Sequence, residues 1–195
     1  YLEGKNNNEV LVNPNRFPWI NLNLSINNML IRKGHYFRID QSGFEYISKV
    51  FMHYYRTDSA AFVKSLKLMG DTMFDGHLCS RLVLSYPDFH WKTYTALKGE
   101  TITTVAEKLF VNDYMVLERN GKTSYSDLHE GEKIIVPEVF AKKIIITIDR
   151  ASMLPLQQVL YDDKGLFAVI EFKGMIYNQP IPDEEFSSAY KSYGF

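Results

Sequence analysis

The chain has 195 residues, of which 46% are hydrophobic, 14% aromatic and 23% charged, and this much apolar material excludes an intrinsically disordered protein. A formal net charge of -1, a pI near 6.6 and scattered basic residues argue against nucleic acid as a partner. No run of about 18 apolar residues occurs, so no transmembrane segment is predicted, and the single cysteine, Cys79, excludes an internal disulfide and a zinc site of four cysteines.

The beginning of the chain is rich in asparagine and carries no leader. It opens at Tyr1 without a methionine and without a charged-then-apolar segment, so we expect a processed or trimmed product that has lost a signal peptide or a lipid tether. The turn-forming residues 4–8 separate two short apolar stretches and predict a hairpin of residues 1–3 with residues 10–12. An extended stretch follows around residues 20–24.

One long helix is predicted near residue 50. Ser42 and Glu45 have the spacing of a helix capping box, in which each side chain bonds the backbone of the other residue. Behind them one apolar stripe recurs at helical spacing: Phe44, Ile47, Val50, Phe51 and Tyr54. We therefore expect a helix over residues 43–56 that packs on a sheet.

Alternation of apolar and polar residues predicts strands on both sides of the centre. Residues 62–68 and 78–86 alternate in this way, and the tight-turn pair Asp75-Gly76 between them predicts a hairpin. After residue 140, three isoleucines at alternate positions predict an amphipathic strand over residues 144–148.

Two more strands are predicted near the end of the chain. Residues 156–161 and 166–177 flank the turn 162–165, whose glycine suits a positive φ. The tail from Pro180 reads as a loop with one helical turn near residues 184–189. This pattern predicts an α+β fold, an antiparallel curved sheet or half-open barrel packed on a helix.

Residues 92–138 break that pattern. A strand over residues 92–97 is followed by Thr101, which is well placed to cap a first helix, and Asp113 is a candidate cap for a second. Asn120-Gly121 ends the second helix, and residues 134–136 form a closing strand. The predicted order is strand, helix, helix, strand (βααβ) in a compact unit.

This unit resembles the lysin motif (LysM) family nearly throughout, in order and in spacing. Ile102, Val105 and Val136 replace other aliphatic residues of the family pattern. The matching positions are Tyr94, Gly99-Glu100-Thr101-Ile102, Val105-Ala106, Val111-Asn112, Leu117, Asn120, Leu128, Gly131, Ile134 and Val136-Pro137.

The LysM resemblance implies recognition of polymers that contain N-acetylglucosamine, such as peptidoglycan, in a shallow groove between two loops. The first loop corresponds to Lys98, Gly99, Glu100, Thr101 and Ile102, and the second to Asn120, Gly121, Lys122 and Thr123. Backbone N–H groups would bond the N-acetyl carbonyls while apolar side chains hold the methyl groups. The alternative is that the glycines, Thr101 and Asn120 only shape turns and caps.

The residues around this unit resemble the last strands of LolA- and LolB-like proteins, whose fold is a half-open barrel closed by helices. The similarity rests on Asp149, Leu154-Pro155, the turn 162–165, Asn178 and Phe186. It implies a discontinuous domain over residues 1–91 and 139–195, either shortened or N-terminally incomplete, into which residues 92–138 are inserted. An uncharacterised family of Gram-negative envelope proteins combining both parts is also similar, which places the protein in the periplasm or at the outer membrane.

A second functional reading follows from the barrel resemblance. LolA-like barrels have an apolar interior suited to acyl chains, so the alternative function is a periplasmic lipid or lipoprotein carrier or sensor with a structural insert. An ordinary packed core explains the same alternation. The candidate lining residues are Phe17, Trp19, Leu22, Phe62, Leu66, Leu82, Leu84, Phe167 and Phe172.

No catalytic constellation is found in the sequence. Motifs for zinc proteases, serine hydrolases and phosphate-binding loops are missing, the five histidines are dispersed, and Cys79 lies in mid-strand as a small apolar residue would. We expect a non-enzymatic protein with no catalytic residue, metal site or cofactor. A cell-wall hydrolase is the remaining alternative, and it requires two carboxylates facing each other across a cleft.

Overall fold

The computed structural model describes residues 9–12, 22–126, 128–186 and 190–191. The chain divides into two compact units, residues 1–42 with 176–195 and residues 43–175. The predicted boundaries around residues 92–138 differ from this division and stay a prediction. The predicted strand over residues 1–3 and the end of the predicted helical turn, residues 187–189, lie outside the described residues.

The smaller unit contains short elements. β1 (Glu9–Val12) pairs antiparallel with β2 (Leu22–Ser25), which matches the extended stretch predicted around residues 20–24. α1 (Met29–Arg32) follows, and single turns of 3₁₀ helix cover Ile39–Gln41 and Asp183–Phe186.

A five-stranded antiparallel sheet dominates the larger unit. The strands are β3 (Leu66–Phe74), β4 (His77–Ser85), β7 (Lys143–Asp149), β8 (Pro155–Tyr161) and β9 (Leu166–Glu171). Their spatial order is β3-β4-β7-β8-β9, so β3 and β9 are the two edges and the sheet is not closed into a barrel.

Cross-strand register places one apolar row on a single face of this sheet. Leu84 lies opposite Leu66 on one side and Ile144 on the other, and the row continues through Leu160 to Ala168. All but Leu66 are buried. Because directly paired residues share a face, this row forms a continuous part of the core.

The predicted hairpin turns are confirmed. Asp75 and Gly76 adopt φ values of 48° and 79° between the paired residues Phe74 and His77, as a two-residue turn of left-handed residues requires. Gly165 has a φ of 131° after β8. The last strand was predicted too long, because it ends at Glu171 and Gly174, with a φ of 59°, turns the chain away.

The predicted long helix is confirmed as α2 (Phe44–Thr57), whereas its predicted cap is wrong. Gly43 is the N-cap and makes no side-chain capping bond. Ser42 instead donates its hydroxyl to the carbonyl of Ile39 at 2.6 Å, which ends the preceding 3₁₀ turn.

Residues 62–65 are helical, so the predicted start of the first strand is wrong. They belong to α3 (Ser59–Ser65), whose N-cap Asp58 accepts a hydrogen bond from the N–H of Ala61 at 2.9 Å. The ring of Phe62 lies 5.7 Å from that of Phe51. The capping bond and this packing outweigh the local alternation, and the strand begins at Leu66.

Residues 91–137 form the predicted strand, helix, helix, strand order. The elements are β5 (Trp91–Thr95), α4 (Ile102–Leu109), α5 (Asp113–Arg119) and β6 (Lys133–Pro137), with β5 and β6 paired antiparallel as a sheet of their own. Asn112 rather than Asp113 caps α5, accepting from the N–H of Met115 at 3.0 Å.

These elements enclose a separate hydrophobic cluster. Its members come from both helices, from β6 and from the loops between the elements, and all are buried: Ala96, Ile102, Val105, Ala106, Val111, Val116, Tyr125, Leu128, Ile134 and Val136. Burial of each large apolar side chain in this cluster contributes about 1.5–3 kcal/mol to the stability of the unit. Its helices and strands therefore form one small packed body.

The fold class is α+β, with an open, antiparallel sheet and a few helices. None of the helices in the described part of the chain has the length and the apolar composition needed to cross a membrane.

Candidate functional site

The first predicted loop, Lys98 to Ile102, is shaped by a reciprocal helix cap. The hydroxyl of Thr101 accepts from the N–H of Thr104 at 3.1 Å, and the hydroxyl of Thr104 accepts from the N–H of Thr101 at 2.8 Å. Gly99 adopts a φ of 80°, which only glycine takes without strain. The loop is therefore rigidly connected to the start of α4.

Glu100 serves this loop as a structural acceptor. Its carboxylate accepts from the N–H of Leu97 and the hydroxyl of Tyr94, each at 2.9 Å, and from the ammonium of Lys108 at 3.1 Å. The backbone bond from Leu97, followed by those from Tyr94 and Lys108, lowers the pKa of Glu100. Because its oxygens are engaged inside the loop, Glu100 holds the loop rather than offering a free carboxylate.

The second predicted loop begins at Asn120, whose side chain hydrogen-bonds two elements of the module. Its amide donates to the carbonyls of Val116 at 2.7 Å and Ile135 at 2.8 Å, and its side-chain oxygen accepts from the N–H of Ile135 at 2.8 Å. The side chain thus joins the end of α5 to β6. Gly121 follows with a φ of 59°, and Lys122 pairs with Glu132.

The two loops adjoin each other. The N–H of Ile102 donates to the carbonyl of Tyr125, just after the second loop, at 2.9 Å. Ile102 itself is completely buried in the module core, so its side chain supports the loops from beneath. Within the described residues, the backbone N–H groups of Lys98, Gly99 and Thr123 make no hydrogen bond, and all three residues are exposed.

Leu97 adds an apolar contact surface that the sequence reasoning did not select. It is 57% exposed and directly precedes the first loop. Its signal in the sequence is an aliphatic residue beside the polar stretch Lys98-Gly99-Glu100. Exposed amide donors beside an aliphatic side chain are what a ligand with acetamido groups requires, since each carbonyl needs a donor and each methyl a dry contact.

Contacts to the sheet fix residues 91–137 in one orientation within the larger unit. The indole N–H of Trp91 donates to Asp163 at 2.9 Å, and Arg119 lies 4.5 Å over the Trp91 ring and 3.4 Å from the same carboxylate. Lys164 pairs with Glu118 at 3.1 Å. The turn between β8 and β9 is therefore hydrogen-bonded and ion-paired to the start of β5 and the end of α5.

A second attachment comes from α2. Tyr54 donates its hydroxyl to the carbonyl of Phe110 at 3.0 Å, and the ring of His53 stacks on that of Phe110 at 4.0 Å with an angle of 7°. Burial raises the pKa of Tyr54, so its hydroxyl remains a donor at neutral pH. Phe110 has a φ of 53°, an uncommon conformation that these contacts hold in place.

The structure places the candidate lipid-lining residues on several elements, and their lipid-lining role stays a prediction. Phe62 lies on α3 rather than on a strand, and Leu84 is only 2% exposed within the packed row. Phe172 packs its ring 4.5 Å from Phe44, and Phe167 lies 6.2 Å from Tyr114. Leu66 and Leu82 are half-buried on the sheet, Leu22 belongs to the smaller unit, and Phe17 and Trp19 lie outside the described residues.

The described residues bring together no arrangement typical of a catalytic or metal site. Among the residues that the structure describes, no three His, Cys, Asp or Glu side chains are placed to hold a metal ion. Cys79 is buried, and burial raises the pKa of its thiol, which disfavours the nucleophilic thiolate. Asp88 and Glu138 line one cleft, but both are exposed and Glu138 pairs with His90 at 3.1 Å, unlike the desolvated acid of a glycosidase.

Comparisons of the chain with protein-family models, with curated proteins and with solved structures found no match. The function therefore has to be inferred from the residues and their geometry.

Proposed function

We propose that this chain is a non-catalytic cell-envelope protein, at home in the periplasm or at the outer membrane, that binds N-acetylglucosamine-containing glycan. The binding element is the βααβ module over residues 92–138, and peptidoglycan is the expected polymer. Lipid or lipoprotein carriage by the sheet domain stays an alternative prediction, which the packing of Leu84 and Phe62 does not favour.

The observation that carries the proposal is the pair of adjoining loops with free backbone donors. The N–H groups of the exposed residues Lys98, Gly99 and Thr123 make no hydrogen bond within the described residues, and Leu97 supplies an aliphatic surface beside the first loop. An N-acetyl group needs this combination, because its carbonyl accepts a hydrogen bond while its methyl gains by leaving water. The ordered LysM-like residues supply the same expectation independently.

The loop residues that the sequence predicts to bind glycan have different roles in this proposal. Five of them shape and support the loops, because their side chains are hydrogen-bonded, ion-paired or buried: Glu100, Thr101, Ile102, Asn120 and Lys122. Gly99 and Gly121 give the loops their left-handed turns. Direct contact with the glycan is assigned to the backbone of residues 98–99 and 123, with Leu97 added.

A sedimentation experiment with isolated peptidoglycan sacculi tests the proposal. The parent chain should sediment with the sacculi, and Thr123→Glu should reduce the bound fraction because it places a carboxylate beside an N-acetyl acceptor. Thr93→Glu is the matched control, since Thr93 is an exposed threonine of β5 outside both loops.

Binding of chitotetraose measured by calorimetry gives a second readout without the polymer. Thr123→Glu should weaken it by roughly tenfold, equivalent to about 1.4 kcal/mol, while Thr93→Glu stays at the parent affinity. Absence of binding by the parent, or equal binding by both variants, would reject this site.

A further inference from the structure

A cleft of about 400 Å³ lies beside the linkers that lead into and out of the module. Its walls come from the end of α3 and the start of β3, from residues 85–89 between β4 and β5, and from residues 138–139 after β6. None of these residues belongs to the two loops assigned to glycan, so the cleft is a separate feature of the larger unit.

Positive charges without partners line this cleft. Lys64 and Lys67 both contribute to its wall, and neither ammonium group forms an ion pair or hydrogen bond within the described residues. Lys108, Lys122 and Lys164 in the same unit are instead ion-paired. Two ammonium groups left unneutralised in one concave site attract an anionic group.

Carboxylates line the same cleft. The carboxylate of Asp88 has no partner within the described residues, and Glu138 shares its charge with His90 at 3.1 Å. The lining therefore carries both signs of charge. A ligand that bears an anionic group and an amine satisfies both, whereas a simple anion satisfies only the lysines.

Tyr86 and Phe89 complete the cleft with a hydroxyl and an apolar ring. The half-buried Tyr86 hydroxyl makes no hydrogen bond within the described residues, and burial raises its pKa, so it stays a donor at neutral pH. Phe89 is half-buried, and its ring packs edge-on at 5.7 Å from Trp91. An uncharged donor and an aromatic wall suit the amide groups and short side chains of a peptide.

We propose that this cleft binds a short zwitterionic peptide, with its carboxylates at Lys64 and Lys67 and its amine at Asp88 and Glu138. Peptidoglycan carries short peptides of this kind on its glycan strands. The assignment of the peptide to that polymer rests on the proposed glycan-binding function, because the cleft borders both linkers of the module. The cleft would then contact the peptide branch of a polymer whose sugars occupy the loops.

Calorimetric titration of the full chain with the free peptide L-alanyl-γ-D-glutamyl-meso-diaminopimelate tests the cleft. The parent should bind it, and the double variant Lys64→Gln with Lys67→Gln should bind at least roughly tenfold more weakly. The matched control is Lys92→Gln with Lys133→Gln, which removes two exposed lysines of β5 and β6 away from the cleft. Tyr86→Phe, which deletes only the hydroxyl, should weaken binding about fivefold.

Chitotetraose separates the cleft from the glycan loops. The cleft double variant should bind it as tightly as the parent does, and Thr123→Glu should leave peptide binding unchanged. Peptide binding that is absent at millimolar concentration, or that both double variants lose equally, overturns the cleft while leaving glycan binding intact. Loss of glycan binding alone would instead remove the proposed function and the polymer assignment.

Discussion

Asn120 offers the sharpest distinction between a residue that supports the site and one that contacts a ligand. Its side chain makes three hydrogen bonds, two to Ile135 and one to Val116, at 2.7–2.8 Å. The change Asn120→Ala would leave one N–H and two carbonyl groups without these partners. Each such bond contributes about 1 kcal/mol, and the half-buried position admits some compensating water.

We therefore expect Asn120→Ala to lower the free energy of unfolding by about 2–3 kcal/mol. In a chain of this length, that loss corresponds to a decrease in Tm of roughly 5–10 °C. Asn120→Asp should be at least as destabilising, because a carboxylate keeps the acceptor for Ile135 but faces two carbonyl oxygens. Urea unfolding followed by tryptophan fluorescence and far-UV circular dichroism measures the change.

Thr123→Ala is the control, since this exposed neighbour should change stability by no more than about 0.5 kcal/mol. At temperatures where Asn120→Ala remains folded, its binding to sacculi should stay close to that of the parent. The structural role is refuted if Asn120→Ala unfolds at the parent's urea midpoint and yet fails to bind. That result would return Asn120 to the glycan-contacting residues.

Three further predictions concern the loop carboxylate, a hairpin turn and the module attachment. The hydrogen bonds from Leu97, Tyr94 and Lys108 lower the pKa of Glu100, so the stabilisation that they provide is present at neutral pH and lost as the pH falls through this lowered pKa; Glu100→Gln should flatten the acid side of a stability-pH curve. Gly76→Ala should cost about 1 kcal/mol in a thermal melt, because alanine is strained at a φ of 79°, and an unchanged Tm would contradict this. Asp163→Ala removes the acceptor of the Trp91 indole, so tryptophan emission should shift to the red while the far-UV spectrum of the sheet is retained; an unshifted emission would argue against this attachment.

Local patterns were sufficient wherever a residue acts on its immediate neighbours. The Asp75-Gly76 turn, the Thr101 cap and the alternating isoleucines of β7 all follow from short-range geometry, and each was predicted at its observed place. The strand start predicted at residues 62–65 is wrong because a second local signal competes there. Their alternation is typical of a strand, but Asp58 and the alanines after it form a capped helix start.

Distant partners determined what the site residues do. The sequence predicts Asn120 and Glu100 as residues of the two glycan-binding loops, and the structure adds that their side chains hydrogen-bond the backbone of Ile135 and the hydroxyl of Tyr94. It did not select Leu97, because exposure of an aliphatic residue depends on which elements cover it.

The α+β class, most strand positions and the strand, helix, helix, strand order of residues 92–138 could be predicted from the sequence, since they depend on periodicity and turn chemistry. Tertiary contacts alone set the open order β3-β4-β7-β8-β9, the hydrogen bond between Trp91 and Asp163, and the cleft that contains Lys64 and Lys67. Those features join residues far apart in the chain, and their free energies depend on distance and burial that no local pattern encodes.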